Sequence, residues 1–152
     1  MTTQALALIE RLCRERGAKL TSTRRRVMQI ILASTAPMGA YDIMRALDDT
    51  SGRPQRTAPP TVYRALEFLQ REGFVHRIAS LQAFVPCVEP DHEHAGQFLV
   101  CADCGRVDEL DDHGLERSLT VAAAARGFDL SHHIEMTGRC DECRSTRSEE
   151  DS

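Results

Sequence analysis

Two pairs of cysteines in the last third of the chain constrain its fold more than any other feature. Cys101 and Cys104 form one C-x-x-C sequence, and Cys140 and Cys143 form another. Each such turn brings two thiolates close enough to share one metal ion, and two turns supply the four sulfurs of a closed, tetrahedral structural zinc site. Because 35 residues separate Cys104 from Cys140, we expect the metal to join the two ends of an intervening subdomain.

Two other interpretations of these cysteines exist. A rubredoxin-like iron centre needs the same four thiolates, and a pair of structural disulfides needs an oxidising compartment. The first residues are only weakly apolar and run into Glu10 and Arg11 without a cleavage site, and no stretch approaches the length of a membrane span. The sequence therefore predicts a cytoplasmic protein, where C-x-x-C pairs usually bind metal or do redox chemistry.

The net charge of −4 conceals an asymmetry between the two halves of the chain. Residues 1–86 carry 13 Lys and Arg against 7 Asp and Glu, a net +6, whereas residues 87–152 carry 6 against 16, a net −10. A basic half can approach a polyanion, and an acidic half that also carries Cys and His can attract cations. Two ordinary solvated surfaces would show the same charges. The change of sign also predicts a domain boundary near residues 86–90.

Apolar residues recur at helical spacing in three early segments. The first predicted helix carries its apolar face at 5–12 and ends at Gly17, the second starts at about Thr21 with its apolar face at 27–31, and the short third has its apolar face at 40–47. Residues 51–57, rich in Gly, Pro and Ser, are predicted to form a loop.

A fourth helix is predicted to start at Pro59 and Pro60, which are tolerated only in a first helical turn, and to end at Gly73. One face is a buried stripe, and the opposite face presents Thr61, Tyr63 and Arg64. Two short β segments, 74–79 and 83–86, follow as a hairpin. Helices followed by a hairpin are the plan of a winged helix, whose last helix enters the major groove of DNA.

Past residue 90 the pattern changes to strand, strand, helix, strand, with a polar tail that we expect to be disordered. Such a small unit buries little by itself, so packing against a second copy is expected. The predicted fold class is α+β, with an N-terminal winged-helix DNA-binding domain followed by a small α/β dimerisation domain held by a four-cysteine zinc site. The predicted boundaries are 1–84 for the winged helix, 85–91 for a hinge, 92–143 for the dimerisation domain and 144–152 for the tail.

Several short motifs, spread over roughly residues 4–143, resemble those of one protein family. They are L-T-S-T-R at 20–24, A-Y-D at 40–42, P-T-V-Y-R-A-L at 60–66, G-F-V-H at 73–76, H-E-H at 92–94 and both cysteine pairs. The chain thereby resembles the ferric uptake regulator family of metal-dependent bacterial repressors, and within it the zinc uptake regulator branch. The resemblance implies a winged-helix domain, a hinge and a dimerisation domain whose four-cysteine zinc is structural.

The resemblance also implies a second, exchangeable zinc site between the domains, for a total of about two Zn²⁺ per subunit. Carried over by position, its ligands are His76, Cys87, His94 and Glu109. One sulfur, two imidazoles and one carboxylate suit tetrahedral zinc, whereas iron and manganese sites typically lack the thiolate. A third metal site matches the family only in part, at His92, Glu116 and His132, and His133 is an equally available neighbour of the last.

In a winged helix, Tyr63 and Arg64 would lead the surface that faces the groove, and Thr61 lies on the same helix face as a further DNA-binding candidate. Because Lys19 is the only lysine, phosphate contacts must come from arginine, for which the candidates are Arg24, Arg25, Arg53, Arg56 and Arg64. The function predicted is that of a zinc-responsive repressor, not an enzyme. It would bind palindromic double-stranded operator DNA as a homodimer, with two dimers per operator as a further possibility, and control zinc uptake genes.

Three rival functions stay open at this point. A regulator of the same family could respond to iron, manganese or peroxide, and Cys87 is the feature against this. A zinc hydrolase could use Glu109 or Glu93 as general base, but the chain has no H-E-x-x-H sequence and four protein ligands leave no position for water. An electron-transfer protein would hold iron at the four cysteines and would be coloured.

Overall fold

The computed structural model describes residues 2–51, 56–91, 96–130 and 133–150 and, within them, every side chain except those of residues 50, 51 and 146–150. The chain divides into two compact units, Met1–His92 and Glu93–Ser152. The elements of the first unit are α1 (Thr2–Glu15), α2 (Ser22–Ala33), β1 (Met38–Gly39), α3 (Ala40–Ser51), α4 (Pro59–Arg71), β2 (Val75–Ile78), a 3₁₀ turn (Ala79–Leu81) and β3 (Ala83–Pro86). Those of the second are β4 (Gly96–Cys101), β5 (Val107–Leu110), α5 (His113–Ala124), β6 (His133–Gly138) and α6 (Asp141–Glu150).

The helices predicted from apolar spacing in the first unit are confirmed. Thr21 caps α2, because its hydroxyl accepts a hydrogen bond from the Arg24 N–H at 3.4 Å. Pro59 and Pro60 open α4, where their missing N–H groups cost no intrahelical bond. Gly73 follows α4 with a φ of +73°, a left-handed conformation that side chains disfavour.

The core of the first unit lies where the apolar faces of the four helices meet the hairpin. Each fully buried aliphatic or aromatic side chain contributes about 1.5–3 kcal/mol through its removal from water. The members of this core that are 0–1% exposed are Val27, Met28, Ile31, Ile43, Val62, Leu66, Leu69 and Phe74.

The predicted hairpin is present as the antiparallel pair β2 and β3, with His76 opposite Val85. Gln82 closes its turn in a left-handed conformation, with φ 49°. The sequence pattern missed β1, which adds to β3 and makes a three-stranded sheet of order β1-β3-β2. Two residues are too few to show the alternation by which strands are recognised.

The second unit is a sheet of order β5-β4-β6, in which β4 pairs antiparallel with β5 and parallel with β6. Parallel neighbours need a crossover connection, and α5 lies within it. Asp112 caps α5 by accepting the N–H groups of Gly114 and Leu115 at 2.8 and 3.0 Å. The buried Gln97 of β4 donates to the Asp112 carbonyl at 3.1 Å, which ties the start of α5 to the central strand.

Two expectations for the second unit are wrong. The alternation of Phe128, Leu130, Ile134 and Met136 predicts one continuous strand, but residues 128–130 form no strand and β6 spans His133–Gly138; residues 131 and 132 lie outside the described ranges. Gly127, with φ +77°, turns the chain so that the Phe128 N–H donates to the Ala123 carbonyl at 3.0 Å, a helix-ending arrangement. The segment expected to be a disordered tail from residue 144 is helical to Glu150. Helix α6 begins at Asp141, directly after Cys140, and the negative charges of Asp141 and Glu142 in its first turn stabilise it.

The longest of the described helices, α1, has 14 residues, whereas a membrane-spanning helix needs about 20. In the described ranges no helix is long and apolar enough to cross a bilayer.

Candidate functional site

The parallel pairing of β4 and β6 brings the two cysteine pairs together. Cys101 is the last residue of β4 and lies opposite Gly138, the last residue of β6. Because neighbouring parallel strands end at the same edge of a sheet, the turns that follow them start side by side. The Ala102 N–H donates to the Gly138 carbonyl at 2.8 Å, and Cys140 follows two residues later.

The four cysteines fit a structural zinc ion. Their sulfur atoms all lie within 4.8 Å of one another, and those of Cys104 and Cys140 are 3.7 Å apart. Four ligands at the usual Zn–S length of about 2.3 Å in a tetrahedron have sulfurs about 3.8 Å apart. The Cys140 N–H also donates to the Cys101 sulfur at 3.3 Å, as backbone amides do to metal-bound thiolates.

The thiols of this cluster differ in acidity. Backbone N–H groups of Cys140 and Cys104 lower the pKa of Cys101 to about 6, because they stabilise its thiolate. Sharing of hydrogen bonds with Cys140 and Cys104 raises the pKa of Cys143. The cluster without metal therefore holds protons at neutral pH that zinc must displace, and zinc affinity falls as the pH is lowered.

Two ion pairs cross between the two cysteine turns. Arg139, next to Cys140, lies 3.0 Å from Asp103 of the first turn. Arg106, two residues after Cys104, lies 3.1 Å from Asp141 of the second turn. These exposed pairs are each worth about 0.2–1 kcal/mol, but they hold the turns in register and place positive charge beside a site whose four thiolates carry net negative charge.

Two of the four predicted sensing ligands lie together in the first unit. His76 is on β2, and Cys87 follows β3 directly, where its N–H donates to the Phe74 carbonyl at 3.0 Å. Their ligand atoms are within 4.8 Å of one another. His76 is half-buried and Cys87 is 8% exposed. A thiol and an imidazole at this spacing are suited to share one zinc ion.

The remaining predicted metal ligands belong to the second unit or to its boundary. Glu109 is half-buried on β5, opposite Phe98 of β4. Glu116 lies in the first turn of α5, 3.6 Å from the ring of His113. The predicted ligands that lie outside the described residues, and so stay predictions, are His92, His94 and His132.

His133, the alternative to His132 at the third metal site, already has contacts within the second unit. Its Nε2 lies 3.0 Å from the Glu135 carboxylate on the same strand. Its ring centroid lies 4.9 Å from that of Phe98 on β4. These contacts account for the placement of His133 without a metal ion.

The predicted DNA-facing surface of α4 is accessible. Thr61, Tyr63 and Arg64 are exposed, whereas Val62 and Ala65 on the opposite side are buried. An apolar groove lies beside this surface, and Tyr41 of α3, which is 69% exposed, forms part of its edge. The sequence did not single out Tyr41. Its place as the aromatic residue of the A-Y-D motif at 40–42 is the signal that could have identified it.

The arginines predicted to contact phosphate differ in their surroundings. The Arg24 guanidinium lies 3.8 Å from the centre of the Phe68 ring and donates to the Lys19 carbonyl at 2.6 Å. Arg25 pairs with Glu10 at 2.6 Å. Arg56 is exposed before α4, and Arg53 lies outside the described residues. Arg24 thus has a structural role in the fold, whatever it contributes to DNA binding.

Sequence comparison gives matches over most of the chain. The model of the ferric uptake regulator family matches residues 15–137. The zinc uptake regulation protein of Escherichia coli K12 is 37% identical over 144 residues, which cover 93% of this chain and 82% of that protein. The peroxide operon regulator of Bacillus subtilis 168 is 30% identical over 133 residues, covering 86% of this chain and 87% of that protein.

Comparison with solved structures leads in the same direction. A zinc uptake regulator in complex with zinc and DNA matches this chain with a TM-score of 0.87 at 35% identity, over 97% of this chain and 98% of that one. The similarity therefore includes both units.

Proposed function

Because the chain belongs to the ferric uptake regulator family, we propose that it is a zinc-responsive transcriptional repressor that binds operator DNA when a sensing site is filled with Zn²⁺. The observation that carries the choice of metal is the pairing of the Cys87 thiol with the His76 imidazole at the end of the hairpin. A soft sulfur beside an imidazole favours zinc over iron or manganese, whose sites are mostly built from oxygen and nitrogen. The 37% identity to a zinc uptake regulation protein supports the same choice.

The sensing site uses His76, Cys87, His94 and Glu109 in this proposal. A set with one sulfur should bind zinc less tightly than the four thiolates, so it can empty while the structural site stays filled. Zinc binding then shifts the protein towards one conformation. The free energy of this shift is limited by the difference in zinc affinity between the two conformations. One structural and one regulatory ion give about two Zn²⁺ per subunit, and a third ion, if bound, would be held by His92, Glu116 and His132.

The DNA surface in this proposal is the exposed face of α4. Tyr63 and Arg64 lie near its N-terminal end, where base-reading residues of such helices are found, and Tyr41 extends the surface. Arg64 is suited to a bidentate contact with guanine, and Arg56 to phosphate. Pro59 and Pro60 lack N–H groups, so contacts at this end of the helix depend on side chains more than on the backbone.

A homodimer is proposed because the second unit leaves much of its apolar surface uncovered. Among the described residues of that unit, α5 has no buried side chain, although Leu115, Leu119 and Ala123 share one of its faces. Val121 and Phe128 are each 69% exposed, and Leu99 is 42% exposed. A second copy would bury this surface, and a twofold dimer would present two α4 helices to a palindromic operator. A DNA-binding regulator of this kind acts in the cytoplasm, and no catalytic role is proposed.

Binding of a labelled duplex across buffered free-zinc concentrations tests the proposal. The duplex is first selected from a random-sequence pool by the zinc-loaded protein. Wild type should bind the duplex only above a threshold concentration of free zinc. Cys87→Ser should need more zinc or fail to bind at any zinc concentration, while size-exclusion chromatography still shows a dimer. Cys13→Ala is the matched control, since Cys13 is a buried core thiol in the same unit that is outside the predicted ligand set.

Three results would contradict the proposal. Failure to select any duplex would contradict DNA binding itself. Binding that ignores zinc, or that needs iron or manganese instead, would favour the other sensors of this family. An unaltered threshold in Cys87→Ser would remove Cys87 from the ligand set.

A further inference from the structure

Arg16, one residue past the end of α1, joins two backbone positions that are far apart in the sequence. Its Nη1 donates to the Glu72 carbonyl at 2.7 Å, and its Nη2 donates to the Pro90 carbonyl at 2.8 Å. The guanidinium carbon also lies 5.5 Å from the centre of the Phe74 ring. These three contacts fix the position of the Arg16 guanidinium, because the group is planar and its N–H donors have a rigid geometry.

The two carbonyls belong to segments with different roles. Glu72 is the C-terminal cap of α4, where unpaired carbonyls and the helix dipole favour a positive charge. Pro90 is buried and lies three residues after Cys87, and only Asp91 follows it in the described part of the first unit. Because proline has no N–H, its carbonyl is the only backbone group through which this residue can be held by a hydrogen bond.

Phe74 gives Arg16 a second connection to the same segment. The Phe74 ring, 0% exposed, lies under the guanidinium, and the Phe74 carbonyl accepts the Cys87 N–H at 3.0 Å. Cys87 and Pro90 are therefore both held against the end of α4, one through the backbone of Phe74 and the other through Arg16. All of these contacts lie within the first unit.

We propose that Arg16 is a positioning residue that couples zinc binding at Cys87 to DNA binding by α4. This inference rests on the function proposed above. Zinc can change the affinity for DNA only if the segment that carries its ligands is fixed to the unit that carries α4. Arg16 fixes that segment at Pro90, three residues after Cys87. Without Arg16, zinc still binds at Cys87, but the chain beyond it can turn at Pro90 and the effect of zinc on α4 is reduced.

The test compares Arg16→Met, which keeps the aliphatic stem and removes every donor, with wild type. Arg14→Met is the matched control, because Arg14 is an exposed arginine in the last turn of the same helix. The dissociation constant for the selected duplex is measured at saturating zinc and at a buffered low zinc concentration. The affinity for zinc is measured by chelator competition with and without the duplex.

Zinc dependence is expressed as the dissociation constant for DNA at low zinc divided by that at saturating zinc. We expect this ratio to fall about tenfold in Arg16→Met, within the usual range of allosteric coupling. Zinc affinity without DNA should change by less than about threefold, while the gain in zinc affinity caused by DNA should fall by the same factor as the ratio, as linkage requires. Arg14→Met should behave as wild type. A residue that only stabilised the fold would lower the melting temperature and leave the ratio intact.

Two outcomes separate this inference from the function on which it rests. If wild type binds the duplex with a zinc dependence that Arg16→Met retains in full, the role given to Arg16 is wrong and the proposed function stands. If wild type shows no zinc dependence, both are wrong. Should Arg16→Met fail to fold, Arg16→Lys serves in its place, because an ammonium keeps the charge but cannot hold both carbonyls in a fixed fork, and it should lose part of the ratio.

Discussion

Replacing Arg24 with alanine tests whether this arginine stabilises the fold or contacts DNA. The Arg24 guanidinium lies 3.8 Å from the Phe68 ring centre and donates to the Lys19 carbonyl at 2.6 Å. A cation on an aromatic face contributes about 0.5–2 kcal/mol, depending on its exposure. A hydrogen bond from a charged donor contributes about 1.5–3 kcal/mol. Because Arg24 is only half-buried and the two contacts share one group, we expect Arg24→Ala to lower the free energy of unfolding by about 2 kcal/mol.

Thermal unfolding of the zinc-loaded protein, followed by circular dichroism, measures this change. For a domain of 60–100 residues, 1 kcal/mol corresponds to about 4–8 °C, so the first unit should melt about 8–16 °C lower. The control is Arg25→Ala, which removes an ion pair with Glu10 whose side chains are 46% and 32% exposed. Such a pair is worth about 0.2–1 kcal/mol, so the melting temperature should fall by only a few degrees.

The same variants are then compared in DNA binding below their melting temperatures. Loss of one phosphate contact reduces the slope of log affinity against log salt by about one. Arg24→Ala should leave that slope unchanged, whereas Arg64→Ala should weaken binding by about 1–3 kcal/mol if Arg64 reads a base. An Arg24→Ala protein that melts like wild type but has a flatter salt dependence would refute the structural role and restore Arg24 as a phosphate contact.

Three further changes have defined outcomes. Cys140→Ser should prevent the second unit from folding and abolish dimerisation, because structural zinc contributes about 10–16 kcal/mol in such modules; a stable dimer by analytical ultracentrifugation would contradict the four-cysteine assignment. Burial raises the pKa of Cys13, so its thiolate forms only at higher pH, and alkylation followed by mass spectrometry at pH 8 should leave Cys13 unmodified. In the zinc-stripped protein Cys101, whose pKa is lowered to about 6 by backbone N–H groups, should react. Gln82→Gly should raise the unfolding free energy by up to about 1 kcal/mol in chemical denaturation, because Gln82 has φ 49°; Gln82→Val, which tolerates that conformation least, should lower it.

Local patterns in the sequence predicted most of the elements, because each depends on residues close together in the chain. The buried stripe of α4 follows from helical periodicity and from the position of Pro59 and Pro60. The four-cysteine cluster follows from residue type, since few other arrangements use two C-x-x-C turns. Strand β1 was missed because its two residues carry no periodicity of their own and depend on β3.

Contacts made over long sequence distances could not be predicted in this way. The parallel pairing of β4 and β6 depends on a crossover, and no local signal distinguishes it from an antiparallel pairing. The positions of Arg16 and Arg24 depend on long flexible side chains that reach carbonyls and rings placed by other elements. For the same reason, a run of basic residues in the sequence does not indicate which of them face DNA.

The distance between the two cysteine pairs has a consequence for the order in which the protein matures on the ribosome. Every element of the first unit precedes residue 92, so that unit can fold while the rest is still being translated. Cys101 and Cys104 emerge next, but their partners follow only after α5 and β6, and the parallel pairing that aligns the turns is a slow step. A nascent chain therefore passes through a stage with a formed DNA-binding unit and two unpartnered thiols. Until Cys140 and Cys143 follow, these two thiols lack half of the ligands of a closed zinc site.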